Sequence, residues 1–401
     1  MTTRGVARIT LALALLAAGP AHARPGDLDR TFGKGGRIAV EPWGCGGSTR
    51  SLVLVDGVRP LLSVFAGCQD YEPALLRFTG LGRLATTTAA PQATYEPPLL
   101  AEGYALTPDV PDVIPGAVAQ VLTRIGDSRA IPLAAQSPKA FGVDRRGRVT
   151  IISSKLAERF LPDGRRDERY GQNGVVKLTS ANLPRVYAAL VCRDGRVYAS
   201  GGRRLVGLDA RGRVLRRLDR RKVRVPHVNL PAVSALAEGP GDTVLVAGPD
   251  RFRDAWVGRL HADGRADRRF SGDGWLTGRR DRRRVLRSPR ALTQVDVASI
   301  IRDRRGRIVL GGSRIETELP WQATVIRLSG RGAVDRSFAT GGRKFVGLGE
   351  IKGEEIVASE VKQLAIDRRG RIVVAGTVYD DNAVIREDLG TPYPGIARLK
   401  S

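Results

Sequence analysis

Short apolar runs alternate with polar turns along the whole chain, at a spacing that suits strands. From residue 137 onward the runs come in pairs joined by a glycine-containing turn that is basic in most copies. The pairs read "AFGVDRRGRVTII" from Ala140, "AALVCRDGRVYAS" from Ala188, "ALAEGPGDTVLVAG" from Ala235, "SIIRDRRGRIVLGG" from Ser299 and "QLAIDRRGRIVVAG" from Gln363. Two apolar runs joined by D-x-x-G or D-G predict a β-hairpin, with glycine taking the positive φ of the turn. The glycines that end second runs are expected to let the chain bend into the next turn without Cβ strain. No convincing amphipathic helical period interrupts the pattern.

A third run follows each hairpin, as in "AWVGRL" from Ala255 and "ATVIRL" from Ala323, and leads into a second recurring frame. Residues 160–175 read "FLPDGRRDERYGQNGV", 260–275 "LHADGRADRRFSGDGW" and 328–343 "LSGRGAVDRSFATGGR". Each copy has a glycine turn, an aspartate, an aromatic three residues on, and a glycine four after that. The pairs are Asp167/Tyr170, Asp267/Phe270 and Asp335/Phe338, and residues 208–218 hold a weakened copy without the aromatic. A fourth run follows the glycine. The unit is therefore four short antiparallel strands, and such sheets repeating at this length form the blades of a β-propeller.

The frames resemble the delta-60 repeat family, whose units carry a strand-"DGKIL"-strand-"G" hairpin followed by "DGxLDxxFGxxG". The resemblance covers residues 137–401 and 24–40 and fades to traces between 41 and 136. It implies an all-β propeller and no established reaction. Hairpin starts near residues 50, 98, 138, 184, 232, 295 and 361 give seven units, about 54 residues each once the first 23 are set aside.

The last unit stops after its third run, "GIARLKS", while the start of the chain holds the missing piece. Residues 26–38 read "GDLDRTFGKGGRI", with Asp29 and Phe32 in the positions of the recurring pair. This segment is expected to close the ring as the outer strand of the last blade, because an open ring would leave two unpaired edges. The chain then divides into residues 24–41 completing the last blade, degenerate blades over 42–136 and clearer repeats over 137–401. Ahead of these, Arg4 and Arg8, the apolar run 9–18 and the small-x-small Ala21-His22-Ala23 read as a signal peptide spanning residues 1–23. About ten apolar residues are too few to cross a bilayer, which takes roughly 20. Export is the expectation, with a monomeric propeller outside the cytoplasm.

Charge is unevenly spread. The chain has 66 Lys and Arg against 41 Asp and Glu, a formal net charge of +25. Residues 41–136 hold six arginines and nine acids, a net of −3, so the positive excess belongs to the rest. It is densest at 203–224 and 279–290, where Arg216, Arg217, Arg220, Arg221, Arg279, Arg280, Arg282, Arg283 and Arg284 form a candidate patch for an anionic ligand. Solvated turns are the plain alternative. Export and the absence of interleaved aromatics count against nucleic acid, which leaves an anionic glycopolymer or another protein as partner.

Other chemistry is thinly supplied. Cys45 and Cys68, flanked by glycines, are a candidate disulfide in an oxidising compartment. Cys192 lies in an apolar run and reads as a small buried hydrophobe. The recurring Asp and aromatic residues read as structural, the aspartates capping turns and the aromatics filling gaps between blades. Asp263, Asp267 and Asp273 lack the spacing of a calcium loop. His227 and His261 alone survive signal removal, so His-based acid–base catalysis is poorly supplied. No P-loop, dinucleotide fingerprint or nucleophile elbow occurs, and no cofactor, metal or catalytic residue is assigned. The favoured reading is a binding module. The alternative is a hydrolase or lyase acting on a sugar or lactone with carboxylates in the central tunnel.

Overall fold

The computed structural model describes residues 24–401 except 43–45, 68–71, 90–98, 102–103, 110–118, 125–129, 135–137, 180–182, 184, 202, 216–224, 226–231, 279–289, 317–318, 352–355 and 381–390. Seven antiparallel sheets follow one another along the chain. Blades 1 to 6 span residues 47–89, 99–134, 138–177, 188–208, 235–277 and 295–345. Blade 7 spans 356–399 and takes Arg37–Ala39 as its fourth strand. Six sheets have four strands, and blade 4 shows three among the described residues. Among those residues there is no α-helix, and none long and apolar enough to cross a membrane.

The first strand of every blade touches the first strand of both neighbours, and blade 7 returns to blade 1, so these strands ring the central axis. Apolar side chains alternate along each strand and so face the sheets on either side. The core is consequently divided. Among the described residues there are seven buried apolar clusters, one between each adjacent pair of blades. The cluster between blades 5 and 6 joins Leu245, Val257 and Phe270 to Ile308, Leu310 and Ile326. Among the described residues, that between blades 1 and 2 is the thinnest, with Leu61, Leu100 and Ala105 buried.

The N-terminal segment closes the ring as expected. Arg37, Ile38 and Ala39 pair antiparallel with Ala397, Ile396 and Gly395. Residues 24–27 and 399–401 together rebuild the turn that other blades make with continuous chain. Gly26 N–H donates to Lys400 O (2.9 Å) and Lys400 N–H to Asp27 O (2.8 Å). In blade 6 the corresponding bonds run from Gly332 to Ser329 (3.0 Å) and from Ser329 to Ala333 (2.7 Å). Phe32 is fully buried in the cluster between blades 7 and 1.

The second-strand glycines have a different reason from the one expected. Gly248, Gly312 and Gly376 lie within their strands and have no positive φ. A Cβ on each would overlap the carbonyl oxygen of Ala232, just ahead of the adjacent inner strand, or of Asp296 or Glu360 within it. Close backbone approach, not a bend, excludes a side chain there. The inner strands of blades 1, 6 and 7 are bulged at Thr49/Ser51, Val297/Ser299 and Val361/Gln363. Bulge-flanking N–H groups find partners in neighbouring blades, as in Leu52 N–H to Gln363 Oε1 (2.8 Å) and Leu364 N–H to Ser299 Oγ (3.2 Å).

Deleting residues 24–40 removes the fourth strand of blade 7 and its share of two core clusters. The truncated protein is expected to melt well below the parent and to aggregate on heating, as scanning calorimetry with light scattering would record. Equal melting of the two proteins would contradict closure by this strand.

Candidate anion-binding face

Antiparallel strands reverse direction at every turn, so the turns after the first and third strands emerge on one side of the ring. The turns after the second and the connections between blades emerge on the other. Both sequence frames, D-x-x-G and D-G, therefore open onto a single surface, the hairpin face.

The D-x-x-G-R turns share one chemistry. Asp144, Asp303 and Asp367 are buried and accept through Oδ1 from the N–H of Arg148, Arg307 and Arg371 (3.0, 2.8 and 2.9 Å). Through Oδ2 they accept from Nε of the same arginines (2.7, 2.6 and 2.6 Å). An aspartate turn thus neutralises its own last arginine. The two central arginines stay in solvent: Arg145 and Arg146 in blade 3, Arg304 and Arg305 in blade 6, Arg368 and Arg369 in blade 7. The turns after the third strands add exposed Arg211 and Arg213 in blade 4, Arg268 and Arg269 in blade 5, and Arg331 and Arg336 in blade 6. Asp209 takes the charge of Arg213 at 2.7 Å, and exposed Asp163 and Asp194 hold Arg165 and Arg196 at 2.8 and 2.7 Å. Blades 1 and 2 come from the near-neutral stretch 41–136, and in blade 1 Asp56 pairs with Arg59. The basic part of the face thus lies over blades 3 to 7.

Beneath it sits a motif that sequence reading missed. Arg159, Arg259, Arg327 and Arg398, each on a third strand, are at most 5 % exposed. Each guanidinium lies over the recurring aromatic, with its carbon 4.0 Å from the Tyr170 ring centre, 5.3 Å from Phe270, 4.6 Å from Phe338 and 4.5 Å from Phe32. Three of them bind the recurring aspartate through Nε: Arg259 to Asp267 (2.7 Å), Arg327 to Asp335 (2.8 Å) and Arg398 to Asp29 (2.9 Å). Arg159 instead binds Thr150 Oγ1 (2.9 Å), and Asp167 lies 3.7 Å from Arg148. Three of the four guanidiniums then reach the next blade. Arg159 donates to Ala210 O (2.6 Å), Arg259 to Gly330 O (2.7 Å) and Arg398 to Gly80 O (2.6 Å).

The aromatic and its chain neighbour complete the joint. N–H groups of Gly33, Ser271 and Ala339 donate to Leu81, Arg331 and Pro25 of the following blade (2.7, 2.8 and 2.7 Å), and Gly171 does so to Arg211 (2.9 Å). Gly82, Gly212 and Gly332, all at positive φ, lie so close to Phe32, Tyr170 and Phe270 that a Cβ would collide with the ring. The recurring aspartates also accept the N–H two residues on, as Asp29 does from Thr31 (3.2 Å) and Asp335 from Ser337 (3.1 Å). Burial opposes ionisation of Asp29, Asp267 and Asp335, but these hydrogen bonds and the arginine charges outweigh it and hold all three below the ordinary carboxylate value.

The other sequence-predicted residues fall as follows. Arg216, Arg217, Arg220, Arg221, Arg279, Arg280, Arg282, Arg283 and Arg284 lie outside the described residues, as do Cys45, Cys68, His227 and the signal-like start. Cys192 is buried, and burial pushes its thiol pKa up. His261 is partly exposed, 3.9 Å from Asp267. Asp263, Asp267 and Asp273 are engaged separately, with Arg265, Arg259 and the Trp275 N–H. Among the described residues no group of His, Cys, Asp and Glu is placed to hold a metal ion.

No protein-family profile and no curated protein matches the chain. Solved structures do. A protein of unknown function from Dyadobacter fermentans is 10 % identical, with 91 % of this chain and 98 % of that one covered and a TM-score of 0.47. The WD40 domain of Toxoplasma gondii coronin is 10 % identical, over 91 % and 86 %, with a TM-score of 0.46. A gluconolactonase from Xanthomonas campestris is 12 % identical, over 70 % and 82 %, with a TM-score of 0.32.

Tyr170 stands where the other joints have phenylalanine, and its buried hydroxyl has no hydrogen-bond partner. Burial pushes its pKa up. Removing an unsatisfied buried hydroxyl is favourable, so Tyr170→Phe is expected to stabilise the protein by about 1 kcal/mol in urea titrations. A loss of stability would show that the hydroxyl is engaged.

Proposed function

We propose that this chain is an extracytoplasmic propeller of the delta-60 type that binds an anionic polymer on its hairpin face. The observation that carries the reading is the division of charge in the turns. Buried aspartates neutralise the last arginine of each D-x-x-G-R turn, and the exposed central pairs are left to act outward. Such turns in blades 3, 6 and 7, with the exposed arginines after the third strands of blades 4 to 6, offer repeated cations to a polymer of repeated anions, and binding releases the counterions of both. A phosphate-rich glycopolymer or acidic polysaccharide of the cell envelope has that chemistry. The candidate patch at Arg216, Arg217, Arg220, Arg221, Arg279, Arg280, Arg282, Arg283 and Arg284 adds positive charge to the same protein and belongs to the same proposal. Residues 1–23 would be removed on export.

Linear polyphosphate is a suitable probe, with affinity followed against salt concentration. Affinity should fall steeply as salt rises. Replacing Arg304, Arg305, Arg368 and Arg369 by glutamine should weaken binding at low salt by roughly tenfold and flatten the salt slope. Binding indifferent to salt, or to these four replacements, would remove the basis of the proposal.

A further inference from the structure

The hairpin face has charge but no exposed ring among the described residues, since Phe32, Tyr170, Phe270 and Phe338 are all buried beneath it. The opposite face is different. Three aromatic side chains are exposed among the described residues: Tyr187 (66 %), Phe252 (49 %) and Phe345 (45 %). They belong to blades 4, 5 and 6, which are consecutive in the ring. Tyr187 precedes the first strand of its blade, Phe252 lies in the turn after the second, and Phe345 ends the fourth, so all three are directed by topology to the side away from the hairpins.

Each ring also has its own arginine. The Arg185 guanidinium carbon lies 5.7 Å from the Tyr187 ring centre, Arg251 4.4 Å from Phe252, and Arg343 4.7 Å and Arg314 5.3 Å from Phe345. Arg185 and Arg251 are exposed, whereas Arg343 is partly buried and donates to Thr293 O (3.2 Å). Arg343 and Phe345 are two apart in one strand, which sets both side chains on one side of the sheet. A flat apolar ring with a guanidinium beside it therefore recurs from blade to blade.

We propose that this face of blades 4 to 6 is a second binding site, specific for the sugar rings of a carboxylated polysaccharide. The aromatic offers a flat surface on which the C–H face of a pyranose can lie, and the guanidinium fork matches a carboxylate with two donors. A protein partner would call for a continuous apolar core surrounded by a polar rim. Three exposed rings on successive blades, two of them beside an exposed guanidinium, fit a ligand that repeats its own ring and acid. The site is independent of the hairpin face, which reads charge alone.

The test compares oligogalacturonate, neutral dextran and linear polyphosphate by isothermal titration, with oligogalacturonate and dextran titrated after polyphosphate has saturated the hairpin face. The variant carries Tyr187→Ala, Phe252→Ala and Phe345→Ala and keeps every arginine. Oligogalacturonate binding is expected to weaken by about tenfold or more, while polyphosphate binding stays at the parent level and dextran binds neither protein. Parent-level affinity of the variant for oligogalacturonate would overturn the proposal. So would no binding by the parent, or an equal loss toward polyphosphate. Should the triple variant fail to fold by circular dichroism, Tyr187→Ala with Phe252→Ala, both outside strands, replaces it. That pair must still weaken oligogalacturonate binding by at least about threefold, and a smaller change counts against the site.

Discussion

A guanidinium buried between two sheets is the constraint on which this propeller depends. Taking an arginine out of water is costly unless its charge and its donors are all met. At Arg259 and Arg398 an aspartate of the same blade meets the charge, a carbonyl of the next blade meets another donor, and an aromatic ring lies beneath. Satisfying the group requires the next blade to be in register, so one side chain links blade formation to ring assembly. The apolar wedges supply the bulk of the burial, but they are non-directional. Where the arginine joint occurs, between blades 3 and 4, 5 and 6, and 7 and 1, it sets how one blade is turned against the next.

Ring closure uses the same device with the chain in two pieces. Asp29, from the N-terminal segment, accepts from Arg398 on the third strand of blade 7 and from Arg371 in its hairpin (2.8 Å). Strand pairing at Arg37–Ala39 is only three residues long, so Phe32 and the Asp29 charge cluster add what the short ladder cannot. The external surface follows from this internal use of charge. Aspartates are drawn inward to hold arginines, and the arginines in excess of them face solvent on the hairpins.

Much of this was legible in the residues. The hairpin frames gave the blades, and the orphaned "GDLDRTFGKGGRI" gave the closing strand, because local turn chemistry and strand period are encoded within a dozen residues. Asp29, Asp167, Asp267 and Asp335 and their aromatics stood out by repetition. Their arginine partners did not, although "ERF", "GRL", "IRL" and "ARL" recur at the third strand. In a chain with 66 basic residues a repeated arginine reads as surface. The glycines at 248, 312 and 376 were noticed for the wrong reason, since the oxygen that excludes a side chain lies on another strand and leaves no local trace. The exposed rings of blades 4 to 6 escaped notice because they share a face only through the topology.

The joint between blades 5 and 6 allows the central claim to be measured directly, by a double-mutant cycle on Arg259 and Asp267 in urea. Asp267→Ala strands a buried charge and should cost about 3–5 kcal/mol, and adding Arg259→Leu should cost much less than the two single changes summed. Additive effects, or an Asp267→Ala protein as stable as the parent, would show that the blades are held in register by something other than the buried arginine.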